Sequence, residues 1–305
     1  MKRAVAFLAL LLAACATEPP PPEERTWLRL ENRAFVIYSL APAEETRRIA
    51  EHLERFRTAS APVLAPRRPA GSKLRVLVAD EQGLFFERGC DAEKQLAKRC
   101  GFASEPGSDG LLLRSGHPDS LTRQLIGYGY ARAVLAYSPL SLPAWYVEGV
   151  ALLLSTLEQE GREVVFGTPP LGFAAFLAAM RDDDVPAPST GQILAEGFST
   201  SDTQLDVLVR YWALAHHWLV DGADGDALNS YLAARTPGGD RSPAAFVRAF
   251  GVDPDVYWAR EVWPRLADGT VTVKRFTVRG PAPDLVFDER PAPGTEAMGP
   301  GRTAD

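Results

Sequence analysis

The spacing of apolar residues along the chain changes near residue 118. Before this point, apolar and β-branched residues form short runs such as Leu74–Val78, whose alternation predicts a strand. After it, apolar residues recur at three- and four-residue intervals, which predicts helices. We therefore expect an α+β fold, in which a small N-terminal mixed sheet with helices, 27–117, precedes a mainly helical C-terminal half, 118–279.

The same patterns predict individual elements. Strands are predicted at 34–38, 74–78, 111–113, 163–166 and 271–278. Helices are predicted at 42–57, 119–137, 144–157, 172–181, 202–220, 223–234, 242–250 and 254–265. A proline-rich loop is expected at 62–71, and the end of the chain, 280–305, is predicted to be disordered because it is rich in proline, glycine and charge.

The N-terminus is typical of an export signal. Lys2 and Arg3 precede an apolar run, 4–12, that is too short to span a bilayer. The run ends in Leu-Ala-Ala-Cys, which resembles a bacterial lipobox, so residues 1–14 would be removed and Cys15 acylated. The alternative is an ordinary secretory signal with a small-residue cleavage site.

The segment after the signal indicates how the domain is attached. Residues 15–26 contain four consecutive prolines, which favour an extended tether off the membrane. In the lipoproteins that this N-terminus resembles, an aspartate after the cysteine often causes retention at the inner membrane. Ala16 stands at that position, so the resemblance implies the periplasmic face of the outer membrane rather than the inner one.

Composition and cysteine content exclude several classes of protein. Of the 305 residues, 46% are hydrophobic and 24% charged, which is ordinary for a globular chain. The net charge of −6 leaves no basic surplus for nucleic acid. The chain has no C-x-x-C motif, which excludes zinc ribbons and thioredoxin-type sites. Cys90 and Cys100 form an even pair that we expect to be a disulfide in an oxidising periplasm, the alternative being two free thiols.

One motif in the helical half carries a family resemblance. Trp145, Glu148, Gly149 and Ala151 match each fixed position of a W-x-x-E-G-x-A signature that follows a helix. This arrangement resembles the peptidase-MA-like family of gluzincin metalloproteases, in which the glutamate is the third zinc ligand and H-E-x-x-H lies on the preceding helix. The resemblance covers most of the mature chain and implies a zincin-like fold for residues 27–279.

The catalytic motif of that family is degenerate here. Tyr128, Gly129 and Arg132 stand where the family has its first histidine, its glutamate base and its second histidine. Two imidazoles at i and i+4 bind zinc from one helix face, and the glutamate activates the bound water. Arginine offers no lone pair and glycine cannot act as a base. The resemblance therefore implies a pseudoenzyme without a metal or cofactor. The alternative is that these helices are not zincin helices and that Glu148 is a surface carboxylate.

Two functions remain open from the sequence. The first is a membrane-anchored periplasmic lipoprotein that binds or scaffolds an envelope protein, a peptide or a glycan, with Tyr146, Tyr211 and His216 as a possible ligand cleft. The second is an active envelope hydrolase or peptidase with an unrecognised site near Glu148, His216 and His217. Because His216 and His217 are adjacent on a predicted helix, we expect one to be partly buried and the other exposed.

The degenerate motif also predicts a contact. Arg132 shares a helix face with Tyr128 at i, i+4, and this face should be packed. A guanidinium there needs a partner, because an unpaired buried charge is costly. We expect Arg132 to form an ion pair with Glu148 in place of the metal, and Tyr128 to donate a hydrogen bond to the same carboxylate.

The first testable prediction concerns the anchor. Replacing Cys15 with Ser should remove the acylation site and release the mature protein from the membrane fraction. Envelope fractionation followed by immunoblotting measures this, with Cys90→Ser as a control that leaves the lipobox intact. Unchanged membrane attachment of the Cys15→Ser protein would contradict lipidation.

Overall fold

A mixed five-stranded sheet forms the N-terminal part of the molecule. The computed structural model describes residues 26–64, 73–79, 110–136, 142–182, 189–194, 205–234, 240, 242–269, 271–279, 282–293 and 296–297. The strands of this sheet are β1 (Thr26–Glu31), β2 (Phe35–Ser39), β3 (Leu74–Ala79), β4 (Gly110–Arg114) and β8 (Asp288–Pro293). Their order is β4-β3-β2-β1-β8. β2, β3 and β4 are parallel neighbours, and β1 is antiparallel to both β2 and β8.

Helices make up most of the remaining described chain, so the fold is mixed α+β with a large helical portion. They are α1 (Ala43–Leu64), α2 (Asp119–Ala136), α3 (Ala144–Ser155), α4 (Phe173–Asp182), α5 (Thr190–Leu194), α6 (Leu205–Leu219), α7 (Gly225–Ala234), α8 (Pro243–Phe250), α9 (Pro254–Tyr257) and α10 (Trp263–Ala267), with a π-helical turn at Trp258–Val262 between the last two. A second, antiparallel sheet joins β5 (Glu158–Glu160), β6 (Glu163–Phe166) and β7 (Lys274–Thr277) in that order.

The main core lies where α3 packs between α2 and α6. Trp145 on α3 and Trp212 on α6 are fully enclosed, and Trp145 contacts Trp218 with ring centroids 5.2 Å apart. Gly149 allows α3 and α6 to approach closely, because a Cβ atom there would lie 2.3 Å from the carbonyl oxygen of Tyr211. The glycine of the W-x-x-E-G motif is therefore required by helix packing.

Most predicted elements are present, and the exceptions have physical causes. The helix predicted at 42–57 continues to Leu64 and includes Pro62, in a stretch that was expected to be a loop. Packing explains the extension, since Ala59 and Leu64 are buried. The helix predicted at 254–265 is interrupted by the π-helical turn just before Pro264, whose ring has no N–H to donate to the preceding turn. β1, β5 and α5 were not predicted.

The prediction of disorder at 280–305 is wrong for residues 288–293. These residues form β8, which pairs with β1 along its whole length. Two prolines, Pro291 and Pro293, are compatible with this position because β8 is an edge strand. Ion pairing adds to the backbone bonds, since Arg47 donates two hydrogen bonds to Glu289. The folded domain therefore extends beyond the predicted boundary at 279.

Among the described residues, no helix has both the length and the apolarity needed to cross a membrane. The predicted signal, 1–14, and nearly all of the tether, 15–26, lie outside the described residues, as do Cys15, Cys90 and Cys100.

Replacing Gly149 with Ala tests the close contact between α3 and α6. Although alanine favours helices over glycine, its methyl group would overlap the Tyr211 carbonyl, so we expect the free energy of unfolding to fall by about 1–3 kcal/mol. Chemical denaturation monitored by circular dichroism measures this. Gly225→Ala is the matched control, because no atom lies within 4 Å of a Cβ at that helical position, and it should not destabilise the protein. Equal stability of the two variants would contradict the packing argument.

Candidate functional site

Three polar side chains meet between α2 and α3, inside the main core. Arg132 Nε lies 3.0 Å from Glu148 Oε1. The hydroxyl of Tyr128 donates a hydrogen bond to Glu148 Oε2, and the Arg132 guanidinium carbon lies 5.7 Å from the centre of the Tyr128 ring. The predicted ion pair and the predicted tyrosine hydrogen bond are thus both confirmed. We call Tyr128, Arg132 and Glu148 the carboxylate cluster.

The backbone explains why these three side chains converge. Tyr128 and Arg132 are one helical turn apart on α2 and share a face. Gly127 lets α2 lie close to its neighbours, since a Cβ atom there would be 2.8 Å from the Phe56 ring and 3.1 Å from the carbonyl oxygen of Leu154 on α3. Glu148 immediately precedes Gly149, so the close contact of α3 with α6 on one side directs the carboxylate towards α2 on the other.

The carboxylate cluster is largely shielded from water. The Glu148 side chain is 2% exposed, so the alternative of a surface carboxylate is wrong. The Arg132 side chain is 22% exposed, and its Nε–H is not aligned for a hydrogen bond with the carboxylate. The contact is therefore mainly ionic. Charge neutralisation, rather than bidentate geometry, makes burial of Glu148 tolerable.

As a set of donor atoms, the carboxylate cluster does not fit a zinc ion. Only Glu148 among the three offers a ligand of the usual type, since Arg132 has no lone pair and Tyr128 uses its proton to bond the carboxylate. Gly129 is buried within α2 and supplies no base. Across the described parts of the chain, no group of three or more histidine, cysteine, aspartate or glutamate residues is arranged to hold a metal ion.

The predicted ligand cleft is not assembled. Tyr211 is 1% exposed and faces α3, so it is a core residue. Tyr146 is half-buried and lines a small, mostly aliphatic cavity of about 130 Å³ together with Leu142 and Leu219. His216 lines a different cavity, beside Asp221. The cleft was expected from the resemblance to the peptidase-MA-like family, whereas the structure places one of the three residues in the core and the other two in separate cavities.

Both histidines of α6 are buried, so the expectation that one is exposed is wrong. His216 is 3% and His217 2% exposed, because the π-helical turn, α10 and Thr272 cover the side of α6 that would otherwise face solvent. Burial lowers the pKa of both imidazoles below the usual histidine value. Tyr211 and Ala215 of α6 face Gly149, whereas Ala213 and His217 face the covered side, about half a turn away. Glu148 and the two histidines therefore do not form one site.

Sequence reasoning did not find a further, larger cavity than the two just described. This half-open groove of about 440 Å³ runs between α1, α2 and the edge strand β5. Its floor is apolar, with the buried residues Phe56 and Ile126, and Arg123 and Glu158 are among the charged residues that line it. The groove could not be recognised from local patterns, because its walls come from three segments that are distant in sequence.

Variants of the ion pair test whether Arg132 neutralises Glu148. Arg132→Met should lower the free energy of unfolding by about 3 kcal/mol, because a buried carboxylate loses its cation. Adding Glu148→Gln should recover much of this loss, since a neutral amide needs no counter-charge and can still accept the Tyr128 hydrogen bond. Equilibrium urea denaturation of the wild type, both single variants and the double variant gives the coupling energy.

The matched control for this cycle is Arg123→Met, an exposed arginine on the same helix, which should change stability by less than about 0.5 kcal/mol. Strictly additive effects of Arg132→Met and Glu148→Gln would show that the two side chains are not coupled.

Comparison with known proteins gives no family for this chain. No protein-family model matches it, and no curated protein is detectably similar to it.

Proposed function

We propose that this protein is a lipid-anchored envelope lipoprotein whose domain has a metallopeptidase-like, zincin-type fold without catalytic machinery. Acylation of Cys15 attaches it to the periplasmic face of the outer membrane, and the domain binds or scaffolds an envelope protein, a peptide or a glycan. The proposal is supported above all by the buried ion pair of Arg132 with Glu148.

The contacts of the carboxylate cluster resemble those of a zinc site in which protein groups have replaced the metal. In the family that the motif resembles, the glutamate of W-x-x-E-G faces a zinc ion held also by two residues at i and i+4 of the preceding helix. Here the residues at i and i+4, Tyr128 and Arg132, contact that same glutamate directly. A fixed cation and a hydroxyl thus satisfy the carboxylate that a metal would otherwise satisfy, as expected after loss of the metal from an inherited scaffold.

A binding role also agrees with the position of the half-open groove between α1, α2 and β5. The carboxylate cluster is too enclosed to admit a substrate, whereas the groove between α1, α2 and β5 is half-open and has both charged walls and an apolar floor. Such a combination suits a ligand with both apolar and polar groups.

Rebuilding the metal site tests the proposed ancestry. Replacing Tyr128 and Arg132 with His should place two imidazoles at i, i+4 opposite Glu148 and create a three-ligand zinc site. We expect about one zinc ion per chain by metal analysis of the purified double variant. The same double variant carrying Glu148→Gln, which removes the third ligand, is the matched control and should bind much less zinc.

Two results would overturn the proposal. A folded double variant that binds no more zinc than its Glu148→Gln control would mean that α2 and α3 lack zincin geometry. Stoichiometric zinc in the wild-type protein that is lost on Glu148→Gln substitution would instead indicate a working metal site and favour an enzyme.

A further inference from the structure

The side of α6 that faces away from α3 forms a second polar centre, unrelated to the carboxylate cluster. A half-open cavity of about 220 Å³ lies there, and His216, His217, Asp221, Arg265 and Thr272 are among the residues that line it. We call these five residues the histidine junction. The junction joins the end of α6 to α10 and to the segment that leads into β7.

Hydrogen bonds fix the tautomer of His216. Its Nε2 lies 2.9 Å from the carbonyl oxygen of Thr272. A carbonyl can only accept, so Nε2 carries the proton of the neutral ring and Nδ1 is left with a lone pair.

The tautomer of His217 follows in the same way from a longer chain of hydrogen bonds. Tyr257 donates its single hydroxyl proton to Asp224 Oδ2, at 2.7 Å. The Tyr257 oxygen therefore accepts from its other neighbours, which are Trp218 Nε1 at 2.9 Å and His217 Nε2 at 3.1 Å. His217 Nε2 thus carries the proton, and its buried Nδ1 has no hydrogen-bond partner.

The two Nδ1 atoms face the same carboxylate oxygen. Asp221 Oδ2 lies 3.8 Å from His216 Nδ1 and 3.7 Å from His217 Nδ1, which is too far for a hydrogen bond. Arg265 Nη1 lies 3.5 Å from the same oxygen and balances its charge. With neutral imidazoles the junction therefore carries no net charge. Two protonated imidazoles would add two positive charges beside Arg265 in a largely buried place, with Asp221 as the carboxylate nearest to both rings.

We propose that the histidine junction is an acid-sensitive latch, closed while both imidazoles are neutral and opened when they bind protons at Nδ1. In the closed state, His216 holds the Thr272 carbonyl and Asp221 accepts a hydrogen bond from the Thr272 hydroxyl, so the start of the β7 segment is fixed to α6. Repulsion between Arg265 and the His217 imidazolium, together with the cost of a second buried cation at His216, would admit water to the cavity, and this water would compete for both bonds to Thr272.

In the closed state, the acidic groups around the junction do not offset the effect of burial, which lowers the pKa of both histidines. Burial is the largest influence on both histidines and lowers their pKa, and Arg265 lowers that of His217 further. The hydrogen bond from His216 to the Thr272 carbonyl and the nearby acidic groups raise the pKa values, but less than burial lowers them. Besides Asp221, the titratable groups that face the junction are Asp224, Tyr257, Glu261 and Asp268.

The direction of the pH effect follows from these lowered pKa values. The unfolded chain binds protons at the ordinary histidine pKa, about 6.5, whereas the folded chain binds them only at lower pH. The stabilisation by the closed latch is therefore complete above about pH 6.5 and is lost as the pH falls towards the lowered pKa values of the folded state.

Opening of the latch would also change the shape of the groove between α1, α2 and β5. β7 pairs with β6, and β6 pairs with β5, whose residues form one wall of the groove. Loosening the start of β7 would thus release one edge of the small sheet that shapes the groove. The latch would couple acidity to the shape of this groove.

The test compares wild type with a variant that cannot titrate at the junction. In His216→Gln/His217→Gln, each amide nitrogen can replace Nε2 as a donor, but neither side chain binds a proton. Between about pH 7.5 and 5.5, the wild-type melting temperature should fall by about 3 °C more than that of the double variant. His52→Gln, which removes a histidine on α1 outside the junction, is the control. It loses a contact with Asp119, but the change of its melting temperature between these pH values should equal that of wild type.

A local measurement separates opening of the junction from a general loss of stability. Amide hydrogen exchange of 271–279, corrected for the intrinsic effect of pH, should become several-fold faster at the lower pH in wild type but not in the double variant. Equal pH dependence in the two proteins would overturn the proposal. If the double variant does not fold, NMR titration of the His216 and His217 imidazoles in the wild type tests the proposal instead. Two rings that titrate below the ordinary pKa support the latch, and rings that titrate at or above it refute it.

Discussion

The helical half depends on the burial of one carboxylate between α2 and α3. Glu148 can lie in the core only because Arg132 neutralises it and Tyr128 bonds its second oxygen. The next residue, Gly149, brings α3 against the backbone of α6, so the position of the carboxylate and the closest helix contact are set by neighbouring residues. Because the two residues are adjacent, a shift of the backbone caused by substitution of either one affects both the ion pair of Glu148 and the packing at Gly149.

A second constraint joins the two ends of the domain. β8 comes from the end of the described chain and pairs with β1 at its beginning, so the five-stranded sheet is complete only when both termini of the domain are present. Arg75 strengthens this closure by donating hydrogen bonds to the carbonyl oxygens of Glu296 and Ala297. The sheet and the late chain therefore form one folded unit, and truncation near residue 280 would expose the edge of β1.

The two polar centres of the helical half differ in how they tolerate burial. The carboxylate cluster contains a permanent cation, because an arginine remains protonated at any ordinary pH. The histidine junction instead has no net charge while its two imidazoles are neutral, and burial lowers their pKa. The first centre is therefore suited to a structural role, whereas the second has the properties of a switch.

The sequence by itself determined the periodic elements and the carboxylate cluster. Helical spacing identified α2, α3 and α6, and it placed Tyr128 and Arg132 on one face at i, i+4. Their contacts with Glu148 were predicted from the resemblance of the W-x-x-E-G motif, because in the resembled fold this glutamate faces those positions across the metal site. Only the tertiary structure decided the rest. β8 is polar and proline-rich, and its strand form comes from backbone bonds to β1. Burial of both His216 and His217 depends on α10 and Thr272, and no local pattern encodes which distant segment will cover a helix face.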